Sequence, residues 1–183
     1  MELVKNLKTS KVIKYAFIAL IGSIALAISS KIKIPFYPVP MTMQTLVVLT
    51  IGVLFGWKLG VATISLYLFE GIIGLPVFSN SPEKGIGIVY FTGPTMGYLI
   101  GFLFATFLAG YFNFKRSFLD TFFKLLISVS IIYLLGIFWL GNLIGWDKPI
   151  LMLGVTPFLL AELFKLVLLT LLSKQFLKLR RFI

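Results

Sequence analysis

Apolar residues fall into six long blocks, roughly 15–29, 41–57, 59–73, 94–112, 119–140 and 157–177, parted by short stretches carrying proline, glycine or charge. A helix crossing the hydrocarbon of a bilayer takes about 20 apolar residues, so each block predicts a membrane-spanning helix. The breakers sit where the spans should end. Pro35, Pro38 and Pro40 precede the second block, Gly56, Lys58 and Gly60 make a turn between the second and third, and a long glycine-containing loop precedes the fourth.

Composition then removes the alternatives. The 183 residues are 59% hydrophobic and only 13% charged, about half the charge of a soluble domain. Six spans use about 120 residues, which leaves connectors and tails but no extramembrane domain. The prediction is one all-α polytopic membrane domain of six transmembrane helices over residues 1–183.

Lys and Arg number 17 against 6 acids, an excess that would suit nucleic acid if its position did not argue otherwise. Lys5, Lys8, Lys11 and Lys14 precede the first block, and Lys174, Lys178, Arg180 and Arg181 follow the last. Flanking clusters are a topology signal of membrane proteins, so the partner expected is the lipid bilayer and no nucleic acid. With both termini on one side, that side also gains Lys58, Lys115, Arg116 and Lys124, against Lys31, Lys33, Lys84 and Lys148 opposite. The positive-inside rule puts both termini in the cytoplasm of a plasma-membrane protein. The first block shows no obvious cleavage site and is read as a retained helix. Histidine and cysteine are absent, which argues against a thiol nucleophile, a metal centre and most enzyme mechanisms.

Three charges lie in or at the edge of apolar blocks: Glu70, Glu162 and Lys165. Glu162 and Lys165 are three residues apart and share a helical face. Ionised groups at membrane depth are costly and normally face a bundle interior or a polar cavity. The pair either neutralises itself and fixes packing, or holds a polar ligand between an acceptor and a donor; the second reading is carried forward. Glu70 lies near the outer end of its span, where a carboxylate snorkelling to the interface is expected. Ala19, Ser23 and Ala27, with Gly22 beside them, recur at four-residue spacing and permit close helix contact, either inside the bundle or with a partner.

Four motifs in register make a family resemblance specific. They are residues 38–46 (PVPMTMQTL), 74–78 (GLPVF), 93–99 (GPTMGYL) followed by Gly101-Phe102, and Pro157-Phe158 ahead of the Glu162/Lys165 pair. Together they resemble the BioY family, the biotin-binding S-components of energy-coupling factor (ECF) transporters, over nearly the whole chain. The resemblance implies the S-component fold and capture of extracellular biotin, with no cofactor beyond that ligand. It also implies a transmembrane coupling protein and a pair of cytoplasmic ATPases as partners. No glycine is followed by lysine, so no P-loop can bind ATP here.

By the same resemblance, Glu162 would accept from the ureido nitrogens of biotin and Lys165 would donate to its oxygen. Asn80 and the 92–95 region, Thr95 included, would meet the carboxylate; Tyr98 would pack on the ligand, and Gln44 joins the substrate-binding set. From their spacing, Ala19, Ser23 and Ala27 are carried forward as the face that docks the coupling protein, with packing inside the bundle as the competing reading. Residues 31–40 would lie over the outer mouth as a lid, with hinges near Ser29-Ser30 and Met41. Two departures stand out: the acid is glutamate where the family usually has aspartate, and residues 79–96 hold no arginine, so a cation there must be Lys84. The alternatives are an autonomous vitamin transporter of the same fold and a membrane subunit with no transport role.

Overall fold

A computed structural model describes residues 2–114 and 117–183, with side chains described from Lys11 onward. Lys115 and Arg116, and the side chains of Lys5 and Lys8, which entered the charge count above, lie outside that description. The helices are α1 (Glu2–Lys31), α2 (Gln44–Ile72), α3 (Met96–Tyr111), α4 (Phe118–Ile144), α5 (Ile150–Gly154) and α6 (Leu159–Leu179). Among the described residues, four segments are long and apolar enough to cross a membrane: Lys11–Lys31, Gln44–Ile72, Phe118–Ile144 and Ile150–Phe182. The 16-residue α3 is a shorter apolar helix.

Two expected spans lie within α2. At Gly56 the backbone takes φ 76° and ψ 172°, a conformation glycine tolerates because it has no Cβ. The arms on either side, 44–55 and 57–72, fold back on one another. A Cβ added to Gly60 would lie 3.6 Å from the Gly52 Cα and 3.5 Å from the Ile51 oxygen. The chain thus makes six helical passes. Only Gly56 makes the expected turn, since Lys58 and Gly60 are already helical.

Lipid tails are as apolar as leucine, so helices in a bilayer associate through close packing rather than hydrophobic burial. The seams of this bundle are built for it. A Cβ on Gly110 of α3 would sit 2.3 Å from the Trp57 nitrogen of α2, and one on Gly97 would sit 2.3 Å from the Leu135 oxygen of α4. Across the first seam, Thr106 Oγ1 also donates to the Val48 carbonyl at 3.3 Å.

α1 packs on the α2 hairpin through its small residues, which corrects the docking expectation. Ala19 is 7% exposed, Ser23 is fully buried, and half-buried Ala27 packs against the core. Beside them, a Cβ on Gly22 would run into Thr63 and Phe55 of α2. Ser23 Oγ donates to the Glu70 carboxylate, so Glu70 bonds to α1 rather than simply reaching for the interface. The residues of α1 that remain outside are large and apolar, among them Phe17, Leu20, Ile24 and Ile28.

Above the bundle, strands β1 (Lys33–Ile34) and β2 (Met41–Thr42) pair antiparallel, with Lys33 opposite Thr42. The Tyr37-Pro38 peptide between them is cis. Neither expected hinge is loose. Ser29 and Ser30 belong to the last turns of α1, Ser30 Oγ donating to the Val77 carbonyl at 2.7 Å, and Met41 is held in the strand pair.

Candidate functional site

Pro157 opens the turn Thr156–Phe158 that leads into α6, a position where a missing N–H costs nothing. One turn on, Glu162 and Lys165 point inward, 6% and 4% exposed. Their side chains meet at 2.7 Å. Lys165 Nζ also donates to the Thr42 carbonyl at 2.6 Å and to Thr45 Oγ1 at 3.0 Å, while Thr45 Oγ1 donates to Glu162 Oε1 at 2.7 Å. A lysine ammonium has three protons, and all three are committed to protein oxygens. Lys165 ties α6 to the start of α2 and stands outside the lining of the adjoining cavity.

Glu162 is different. Oε1 is doubly bonded, but Oε2 is buried and accepts no hydrogen bond from the described residues. An uncompensated carboxylate oxygen in a dry interior is expensive. It calls for a donor: the Tyr133 phenol of the cavity wall interacts with this carboxylate but closes no hydrogen bond to Oε2.

Glu162 borders a cavity of about 50 Å³. Gln44 and Thr45 of α2, Ser79 and Tyr90 of the outer loop, and Thr95 and Tyr98 at the start of α3 form one side. Tyr133 of α4 and Phe158 close the other. Tyr98 is fixed by donating to the Gly154 carbonyl at 2.9 Å, and its ring stands edge-on to Tyr133, centroids 6.1 Å apart. Gln44 Nε2 donates to the Tyr67 hydroxyl at 2.7 Å. The walls are apolar and rich in aromatic rings, with polar atoms at few points, as in sites that orient a small ligand.

Asn80 lies elsewhere. It takes φ 60°, accepts from Lys33 Nζ at 2.5 Å, and lines a second, outer cavity of about 210 Å³ with Pro38, Lys84, Gly93 and Pro94. Tyr90 and Thr95 border both cavities. Burial raises the Tyr90 phenol above its ordinary range, an effect partly offset by Thr95, so it stays a donor, here to the Ser79 carbonyl.

Of the six expected binding residues, Glu162, Gln44, Thr95 and Tyr98 line the inner cavity, Asn80 and Thr95 the outer one, and Lys165 stands behind the wall. Thr45, Ser79, Tyr90 and Tyr133 also line the inner cavity, and nothing in the motifs assigns them a role. Thr45 and Ser79 lie inside or beside quoted motifs, next to Gln44 and Asn80. Tyr133 offered one signal, a phenol in the middle of an apolar block.

Residues 4–182 match the model of the BioY family. A protein of Pyrococcus horikoshii named probable biotin transporter BioY is 36% identical over 139 residues, covering 76% of this chain and 81% of its own. The biotin transporter BioY of Thermotoga maritima is 34% identical, covering 84% of this chain and 90% of its own. A crystal structure of the S-component for biotin from an ECF-type ABC transporter superposes with a TM-score of 0.74 at 27% identity, over 94% of this chain and 93% of the other.

Proposed function

This chain belongs to the BioY family, and from that membership we propose that it is a biotin-specific S-component that takes up biotin as part of an ECF transporter. The observation that carries the site assignment is the unpaired Oε2 of Glu162 in an aromatic cavity. A ureido N–H is a donor of the right kind, held on a flat ring of the kind the Tyr98 and Tyr133 walls suit. The valerate tail then extends past Tyr90 and Thr95 toward the outer cavity, where Lys84 supplies positive charge for its carboxylate.

We further assign the energy source to partners, a transmembrane coupling protein and a pair of cytoplasmic ATPases. The distribution of lysine and arginine supports cytoplasmic termini and an outward-facing lid. The docking surface is reassigned with the packing: the small-residue stripe of α1 is used internally, and its large apolar face is left for lipid or a partner.

Labelled biotin added to the purified, detergent-solubilised protein tests the reading, with thiamine and riboflavin as competitors. Saturable binding displaced by biotin alone is expected. Equal displacement by thiamine would reject biotin as the ligand.

A further inference from the structure

In the loop that borders the inner cavity, the carbonyls of Val77 through Ser81 all accept hydrogen bonds. Val77 O accepts from Ser30 Oγ and from the Tyr67 hydroxyl at 2.7 and 3.0 Å. Lys31 Nζ donates to Phe78 O and Ser81 O, both at 2.8 Å. Ser79 O accepts from Tyr90, and Asn80 O from the Lys84 amide at 2.8 Å. Phe78, 1% exposed, anchors the loop from below, its ring edge-on to Tyr67 at 5.3 Å.

One buried side-chain atom in this loop is left over. Ser79 is 4% exposed, and its Oγ has no hydrogen-bond partner among the described residues. Ser79 and Glu162 each carry one such atom, and both line the inner cavity. Unpaired buried polar atoms are rare in folded proteins, and two bordering one cavity point to a ligand that pairs with both. Their chemistry is complementary to a cyclic urea. Glu162 Oε2 can only accept and takes an N–H, whereas a hydroxyl can donate to the neighbouring carbonyl.

We propose that Ser79 is a specificity-determining residue whose hydroxyl donates to the ureido carbonyl of the ligand, with Lys31 and Tyr90 as the groups that position it. The inference rests on the biotin reading above, and the test separates the two. Wild-type protein, Ser79→Ala and Ser79→Cys are purified. Their affinities for biotin and for its thiourea analogue are measured, together with melting temperatures without ligand. The analogue keeps both N–H groups but exchanges the carbonyl oxygen for a weakly accepting sulfur.

Loss of a hydrogen bond in a buried site should weaken biotin binding about tenfold in both variants, because cysteine fills the space of serine but is a weak donor. Discrimination between biotin and the analogue should shrink in both variants. The unliganded melting temperature should hold or rise, since removing Oγ breaks no internal bond. Biotin affinity within about twofold of wild type in Ser79→Ala overturns the proposal. So does a variant that loses affinity only as it loses stability, which would make Ser79 structural. Wild-type protein that does not bind biotin overturns the reading beneath it instead.

Discussion

Lys165 lends its three protons to Thr42, Thr45 and Glu162, so its loss reaches the fold before it reaches a ligand. Lys165→Met would leave Glu162 as a buried charge without its counter-charge, a change that costs about 3–5 kcal/mol in protein interiors. A pronounced fall in melting temperature in detergent is expected, with biotin restoring part of it; unchanged thermal stability would show that the tie is weak. Glu162→Asp draws the carboxylate back by one methylene from Thr45 and Lys165. It should weaken biotin binding several-fold, and calorimetric titration that finds a gain would contradict this geometry. The sequence exposes both charges because ionised groups in an apolar block are costly wherever they point. It does not reveal that Lys165 is saturated, because two of its three acceptors come from residues 42 and 45, more than a hundred positions away. Ser79 is quieter still: a serine in a loop carries no signal until folding strips it of water and of partners.

At the scale of helices, the blocks and their breakers were legible because hydrocarbon thickness sets span length and Gly56 must reverse the chain. The facing of α1 was not. Four-residue spacing makes Ala19, Ser23 and Ala27 a stripe, but only the α2 hairpin, with Thr63, Phe55 and Glu70 waiting opposite Gly22 and Ser23, decides what the stripe meets. Ala19→Leu or Ser23→Leu should therefore lower both melting temperature and biotin affinity of the isolated protein, whereas Ile24→Ala, on the exposed face, should change neither. Stable, normally binding Ala19→Leu protein that no longer copurifies with a coupling protein would return the stripe to docking. The α2–α3 seam is stricter. In Gly110→Ala the new methyl meets the backbone at Trp57, 2.3 Å away, where no side chain can swing aside. Loss of folded protein or a large drop in melting temperature is the expected result.

For the molecule as a whole, the inner and outer cavities at about 50 and 210 Å³ together still fall below the ~300–1,000 Å³ of pockets that bury drug-sized ligands, so the outer cover must move to admit biotin. That cover is fastened by Lys33 to Asn80, by Lys84 over the Tyr37 ring at 5.5 Å, and by Phe36 edge-on to Phe158 at 6.0 Å. Spin labels at Ile34 and Ile86, both exposed, should report a change in separation or mobility on adding biotin; identical spectra at saturation would mean the β1–β2 segment is no lid. A lid that has to be unfastened for passage in either direction acts on time rather than on equilibrium. Entry waits for it to lift, and so does escape, so the residence time of a bound vitamin is set by fastenings that never touch it. Tyr37→Ala, which removes the ring beneath Lys84, should speed association and dissociation by similar factors and leave their ratio nearly unchanged in stopped-flow measurements. Acceleration of dissociation alone would show instead that Tyr37 belongs to the binding surface.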